Sequence, residues 1–262
     1  MHRKFQNRAT IERETSMKTR LLYYEDAYLK EFEGKVVKIL KFDDKMGAVL
    51  DRTAFYVAGG GQPSDRGVIK SEGGEAKVIE VQAREDKVFH VLNEARGQIK
   101  EGDIVKGIID WDRRYALMRN HTLAHLMAEA IRQAVKTPIK IVGSAVDVEK
   151  SRLDLAYDKP LRPLFQEIEE IANKVIKQNR PVETKKMPRN EAEKYVERFN
   201  ENLRTLPPQV QEVRIVEIKD WHACACGGTH VKATGEIGSV KILGRASKGK
   251  GVERIEFAAQ KP

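Results

Sequence analysis

Two short pairs of metal-ligand side chains constrain this chain more than any other feature: His121-Thr-Leu-Ala-His125 and Cys226-Gly-Gly-Thr-His230. The chain has only 2 cysteines and 6 histidines, and half of them fall in these two pentapeptides. Zinc is commonly held by four Cys and His ligands that arrive as two closely spaced pairs. If both pairs serve one ion, the fold must bring two segments that are far apart in the sequence to a single point.

The same spacing means different things in the two pairs. His121 and His125 lie in an apolar-periodic run from Tyr115 to Ile131. That run reads as a helix, in which residues four apart share one face. Cys226 and His230 flank Gly227 and Gly228, which disfavour a helix and permit a tight turn with backbone N–H groups open to a ligand. Thr122 stands where the H-E-x-x-H protease motif carries its glutamate base, so peptide hydrolysis is disfavoured. The neighbouring His222 and Cys224 read either as groups supporting the ligands or as local structure, the latter favoured.

The 262 residues are enough to bury a substantial core in one or two domains. No apolar stretch approaches transmembrane length, and no membrane partner is expected. Residues 1–16 are polar and lack the apolar centre of a signal peptide. They are expected to be a disordered tail, or an extension upstream of a natural start at Met17. Cys224 and Cys226 are too close to staple distant elements, which points to a reducing, cytoplasmic compartment. The net charge of +9 suits a polyanionic partner such as nucleic acid, but also a surface rich in ion pairs. Aromatic residues are only 6%, which argues against broad base-stacking platforms.

Residues 17–110 read as short β-branched runs separated by turns: 36–40, 47–50, 67–69, 77–81, 87–92 and 104–109. This spacing predicts a small barrel or sandwich. Residues 111–262 alternate between helical and extended patterns, which predicts an α+β domain. Helices are expected near 113–135, 162–178 and 191–202. Strands are expected at 140–148, 152–157, 213–218, 238–243 and 252–257, the last three completing a sheet. Within the first segment, Thr53-Ala-Phe-Tyr-Val-Ala-Gly59-Gly60-Gly61-Gln62 stands out. Three glycines let the backbone turn sharply or approach a ligand closely. No Gly-Lys-Ser/Thr follows, so this is not a P-loop.

Taken together, Thr53-x-Phe-Tyr, Gly-Gly-Gly-Gln62, His-Thr-x-x-His, Cys-Gly-Gly-Thr-His-Val231 and Lys250-Gly-Val-Glu-Arg-Ile-Glu256 resemble the AlaX family. These are free-standing homologues of the alanyl-tRNA synthetase editing domain. The resemblance implies an N-terminal small β-barrel followed by an α+β editing domain with one zinc ion. It implies His121, His125, Cys226 and His230 as ligands. It further implies a cytoplasmic hydrolase that deacylates mischarged tRNA(Ala), chiefly Ser-tRNA(Ala) and also Gly-tRNA(Ala), and spares Ala-tRNA(Ala). Thr53, Gln62, Gly227 and Gly228 become the catalytic candidates. Thr53, Gly59, Gly60, Gly61, Gln62, Thr122 and Thr229 become the substrate-binding candidates. Rival readings are a non-catalytic tRNA-binding module stapled by zinc, and an editor of another aminoacyl-tRNA such as Ser-tRNA(Thr). No obligate protein partner is implied.

Overall fold

Short runs of β-branched residues become strands because branched side chains pack well on a pleated surface. The strands fall in two compact units, residues 1–58 with 64–114 and residues 59–63 with 115–262. The structure is a computed structural model that describes residues 19–42, 45–84, 87–137, 139–204, 206–249 and 251–261. The expected extension at residues 1–16 lies outside the described residues. No described helix is long and apolar enough to cross a membrane.

The first unit contains β1 (Arg20–Leu21), β2 (Glu31–Phe42), β3 (Lys45–Leu50), β4 (Arg52–Thr53), β5 (Gly67–Ser71), β6 (Gly74–Arg84), β7 (Lys87–Gly97) and β8 (Ile104–Ile109). Six of them close a barrel in the order β2-β3-β7-β6-β5-β8. Its core includes Val36, Leu50, Phe55, Ile69, Val78, Val81, Val105 and Ile109. In β6, Ala76 and Val78 point inward by simple alternation. A register shift against β7 between Val78 and Glu80 then breaks the period, so Val81 returns to the core where strict alternation would have placed Glu80.

One buried ion pair ties the segment after β4 to the chain entering the first helix. Arg114 and Asp65 are both fully buried. Arg114 Nε donates to both carboxylate oxygens at 3.0 and 2.9 Å, while its Nη1 and Nη2 donate to the carbonyls of Ala27 and Ala54. Asp65 also accepts the Tyr56 N–H at 2.6 Å. Every polar atom of the pair therefore has a partner, the condition under which a buried charge pair is tolerated.

Helix α1 (Trp111–Val135) is longer at its start than the expected helix. Asp110 accepts the Arg113 N–H, as an N-cap residue does. The second unit continues with β9 (Ile141–Val146), β10 (Ser151–Ala156), α2 (Phe165–Lys177), β11 (Val182–Pro188), α3 (Arg189–Glu197), β12 (Glu212–Ile218), β13 (His222–Ala225), β14 (Ser239–Ser247) and β15 (Val252–Gln260). The sequence suggests a single sheet for the later strands; the structure has two. One is β14-β15-β10-β9 and the other is β11-β12-β13. The difference arises because β12 pairs with β11 on one side and with β13, which the sequence pattern does not reveal, on the other.

Each sheet has its own helix. α2 buries Ile168, Ala172, Val175 and Ile176, and its Glu169 and Asn173 accept backbone N–H groups of β14. α3 packs Ala192 and Val196 with Val213, Ile215 and Ala223. On α1 the polar side chains are buried too. Arg119 donates to the carbonyls of Glu236, Ile237 and Gln260, and Asn120 donates to those of Asp147 and Val148. These bonds fix the turn of α1 that immediately precedes His121.

Arg114→Met will leave the Asp65 carboxylate buried and unpaired. The expected loss of stability is about 3–5 kcal/mol in chemical denaturation, and the double variant Arg114→Met/Asp65→Leu is expected to recover much of it.

Candidate metal centre

The i, i+4 spacing of His121 and His125 on α1 places both imidazoles on one face, and Cys226 and His230 come to the same place from the segment after β13. One ligand atom from each of these four residues lies within 4.8 Å of the other three. Cys226 Sγ stands 3.5 Å from His121 Nε2 and 3.3 Å from His230 Nε2. The ring centroids of His121 and His230 are 4.3 Å apart, and those of His125 and His230 4.6 Å apart.

Hydrogen bonds on the far side of two rings set their orientation. Gln62 Oε1 accepts the Thr229 backbone N–H at 3.2 Å, which identifies that atom as the amide oxygen. The same oxygen lies 2.6 Å from His121 Nδ1, so Nδ1 carries the proton and Nε2 keeps its lone pair toward Cys226. The Gln62 amide group donates to Thr229 Oγ1 at 2.9 Å. Thr122 holds the other ring in place: its Oγ1 lies 3.1 Å from His230 Nδ1 and accepts the Val231 N–H. Partners of this kind are what hold ligand histidines in one tautomer and orientation.

Two glycine-dependent features make the arrangement possible. Gly60 and Gly61 have φ of 58° and 85°, and Gly59 and Gln62 exchange both backbone hydrogen bonds across them. This is a two-residue turn with positive φ at both positions, which glycine adopts freely. It delivers Gln62 to His121. At Gly228 a Cβ would sit 2.1 Å from His121 Cε1 and 2.8 Å from Gln62 Oε1. The His121 ring occupies the space a side chain would need.

Burial sets the charge state. It lowers the pKa of His121 to about 4, with Arg214 adding to the effect. Burial also takes His125 and His230 well below the ordinary imidazole range, reinforced by neighbouring rings. All three are therefore neutral near pH 7 and present lone pairs. Burial raises the Cys226 thiol, against which the Gly228 N–H, at 3.3 Å from Sγ, and Arg214 favour the thiolate. Three neutral imidazoles, two of them held in orientation, and one thiol assisted by an N–H form a donor set that could hold a metal ion. It suits a borderline-soft cation of the zinc class, which takes N and S ligands.

The structure thus brings together Gln62, His121, Thr122, His125, Cys226, Gly228, Thr229 and His230. Gly59, Gly60 and Gly61 form the turn before Gln62, and Gly227 is exposed beside Cys226. Of the two glycine amides expected to face a ligand, that of Gly228 donates to the Cys226 sulfur instead. Thr53 belongs to the first unit, where it is fully buried. There its Oγ1 accepts the Phe55 N–H at 3.1 Å and pairs with His90 Nε2 at 2.8 Å. His90 Nδ1 lies 3.0 Å from the Ala48 carbonyl, which can only accept. Nδ1 therefore carries the ring proton, Nε2 accepts, and the Thr53 hydroxyl donates to it. Sequence reasoning misses His90, since nothing in Lys87-Val-Phe-His-Val-Leu92 marks it except its place among apolar neighbours.

The chain is similar to known proteins along most of its length. A family model for the threonyl and alanyl tRNA synthetase second additional domain matches residues 213–256, which include Cys226 and His230. A model for class II (A) tRNA synthetases matches residues 2–113. The chain is 42% identical over 245 residues to the alanyl-tRNA editing protein AlaX-M of Methanosarcina acetivorans, covering 91% of this chain and 98% of that protein. It is 43% identical over 244 residues to the AlaX-M protein of Methanosarcina barkeri, with the same coverage. The alanine–tRNA ligase of Ignicoccus hospitalis is 40% identical over 242 residues, 92% of this chain but only 26% of the ligase. The chain thus spans about a quarter of the length of such ligases.

Two outcomes are expected. Gly228→Ala will force His121 and Gln62 apart, and metal content, read by elemental analysis, will fall well below that of wild type. His90 has a pKa of about 4 because burial disfavours its cation, although the Ala48 carbonyl partly offsets this. The unfolded chain, with a histidine pKa near 6.5, binds more protons than the fold between these values, so stability falls as pH drops from about 6.5 toward 4. His90→Gln is expected to flatten about 3 kcal/mol of that fall in denaturation measured across the window.

Proposed function

The chain belongs to the AlaX-M family of alanyl-tRNA editing proteins, and from this premise we propose that it is an aminoacyl-tRNA deacylase. Its proposed substrates are tRNA(Ala) wrongly esterified with serine and, second, with glycine; Ala-tRNA(Ala) is spared. The observation that carries this reading is the likeness to AlaX-M along almost the whole of both chains. The buried donor cluster supports it by supplying a place for ester chemistry.

The need for such an activity is physical. A synthetic pocket sized for alanine cannot exclude glycine, and serine adds only one hydroxyl, so a second hydrolytic sieve is required. That sieve must favour the hydroxyl it finds in serine. A hydrogen bond that the serine hydroxyl makes and alanine cannot is worth about 0.5–1.5 kcal/mol. We assign this part to Thr53. Its proton is committed to His90 and one lone pair to Phe55, so the hydroxyl offers a remaining lone pair as an acceptor.

The proposed cofactor is one zinc ion held by His121, His125, Cys226 and His230. Zinc bound there would polarise the ester carbonyl or lower the pKa of a water. The chain's own residues do the rest. Gln62 and Thr122 hold His121 and His230 in the ligating orientation. The Gly228 N–H stabilises the Cys226 thiolate. Gly227, exposed at the centre's edge, offers the remaining backbone amide for charge developing on the carbonyl oxygen. Water adds to the carbonyl, the ester C–O bond breaks, and serine and free tRNA leave. The positive net charge of +9 favours the tRNA phosphates.

A deacylation panel tests the proposal. Serine is expected to leave Ser-tRNA(Ala) severalfold faster than alanine leaves Ala-tRNA(Ala), and Thr53→Val is expected to narrow the ratio. Equal rates would remove the selectivity, and preferential release from Ser-tRNA(Thr) would reassign the substrate. Purified protein is expected to hold about one tightly bound zinc per chain, reduced in His121→Ala.

A further inference from the structure

A second set of ligand-type side chains adjoins the first. His222 and Cys224 lie on β13, two residues apart, and Cys226 follows at the same interval. Alternation along a strand turns all three to one face. Opposite this row stands α1, with His121 against Cys226 and His125 against Cys224. Cys224 Sγ is 3.7 Å from His125 Nδ1 and 3.9 Å from its Nε2. The His125 and His222 ring centroids are 5.3 Å apart. One ligand atom from each of His125, His222 and Cys224 lies within 4.8 Å of the others.

His222 is only 2% exposed, and the protein holds it from behind. Its Nε2 lies 3.2 Å from Glu201 Oε1, and Arg132 Nη2 donates to the same oxygen at 2.5 Å. That oxygen accepts from Arg132, and it accepts the Nε2–H of His222 as well, which leaves the lone pair on Nδ1. His222 Nδ1 is buried and has no hydrogen-bond partner among the described residues. A buried nitrogen without a partner is costly to the fold. A carboxylate behind one nitrogen and a bare second nitrogen is the arrangement that metal-binding histidines show.

We propose that His222, Cys224 and His125 form a second position for a thiophilic divalent cation of the zinc class, sharing His125 with the first. The donor set is two imidazoles and one sulfur, which zinc, cadmium(II) and cobalt(II) all accept. On binding, the Cys224 thiol gives its proton to solvent and its sulfur becomes the ligand. The position is the weaker of the two, because it has three protein donors and one of them is shared. When His125 serves the second ion, His121, Cys226 and His230 remain at the first. Three ligands with one coordination position left over is the arrangement of catalytic zinc sites.

Titration of the metal-stripped full chain with cobalt(II) tests this, with bound metal counted by equilibrium dialysis and thiolate–cobalt absorption recorded in parallel. Wild type is expected to take two equivalents, the second with additional thiolate absorption. Cys224→Ser and His222→Asn are each expected to take one equivalent, and retention of that first equivalent shows that the variant has folded. A wild type that saturates at one equivalent overturns the proposal. So do two equivalents in both variants. Two equivalents in wild type with one in Cys224→Ser support the second position whether or not serine is released from Ser-tRNA(Ala), so this proposal and the proposed function fail separately.

Discussion

The second unit depends on keeping three buried imidazoles neutral and two of them turned toward the Cys226 sulfur. Burial alone achieves the first condition, because an imidazolium without a nearby anion is disfavoured in the interior. It does not achieve the second. A neutral imidazole can carry its proton on either nitrogen, and the wrong tautomer would aim an N–H at Cys226. Gln62 removes that freedom at His121, since its oxygen is fixed by the Thr229 N–H and can only accept. Thr122 fixes the orientation of the His230 ring through Nδ1, with a hydroxyl that can donate or accept. The ligand set is thus specified by residues that do not ligate.

Much of the surrounding structure follows from that requirement. The Gly60–Gly61 turn places Gln62, and the Gly61 carbonyl is itself held by the Val146 N–H. Gly228 gives its space to the His121 ring. Arg119 and Asn120, just before His121, spend their donors on carbonyls from three separate segments, so α1 cannot rotate without breaking them. Rotation by one residue, about 100°, would carry both histidines off the shared face. Local propensity, turn chemistry and polar satisfaction all act on the same few ångströms.

The sequence makes some of this legible. The ligand pairs are visible because Cys and His are scarce and evenly spaced, and the barrel strands are visible because β-branched residues recur between turns. Strand β13 is not, since His-Ala-Cys-Ala carries little β propensity and its alternation is written in ligand residues. Missing it also merges two sheets into one. The bulge in β6 is hidden because an inserted residue leaves no mark in composition. Gln62 and Thr122 can be recognised in sequence as polar residues near a site, but their hydrogen bonds to ligand rings depend on partners 59 and 108 positions away. Glu201, which orients His222, lies in a segment with no motif at all.

The geometry of a helix against a strand explains why the ligand-type residues meet as two groups. Four residues of helix advance about 6 Å, and two residues of strand advance about 6.8 Å. The two repeats nearly match over a single step and drift apart over several. A row spaced i, i+4 on α1 can therefore face a row spaced i, i+2 on and just after β13 at two successive places. The observed contacts follow this in opposite chain directions: His121 meets Cys226, and His125 meets Cys224. His222, one further step along the strand, has no third helical histidine to meet, because Glu129 occupies that place on α1. It closes on His125 instead, which is why one imidazole stands between two sulfurs and belongs to both groups.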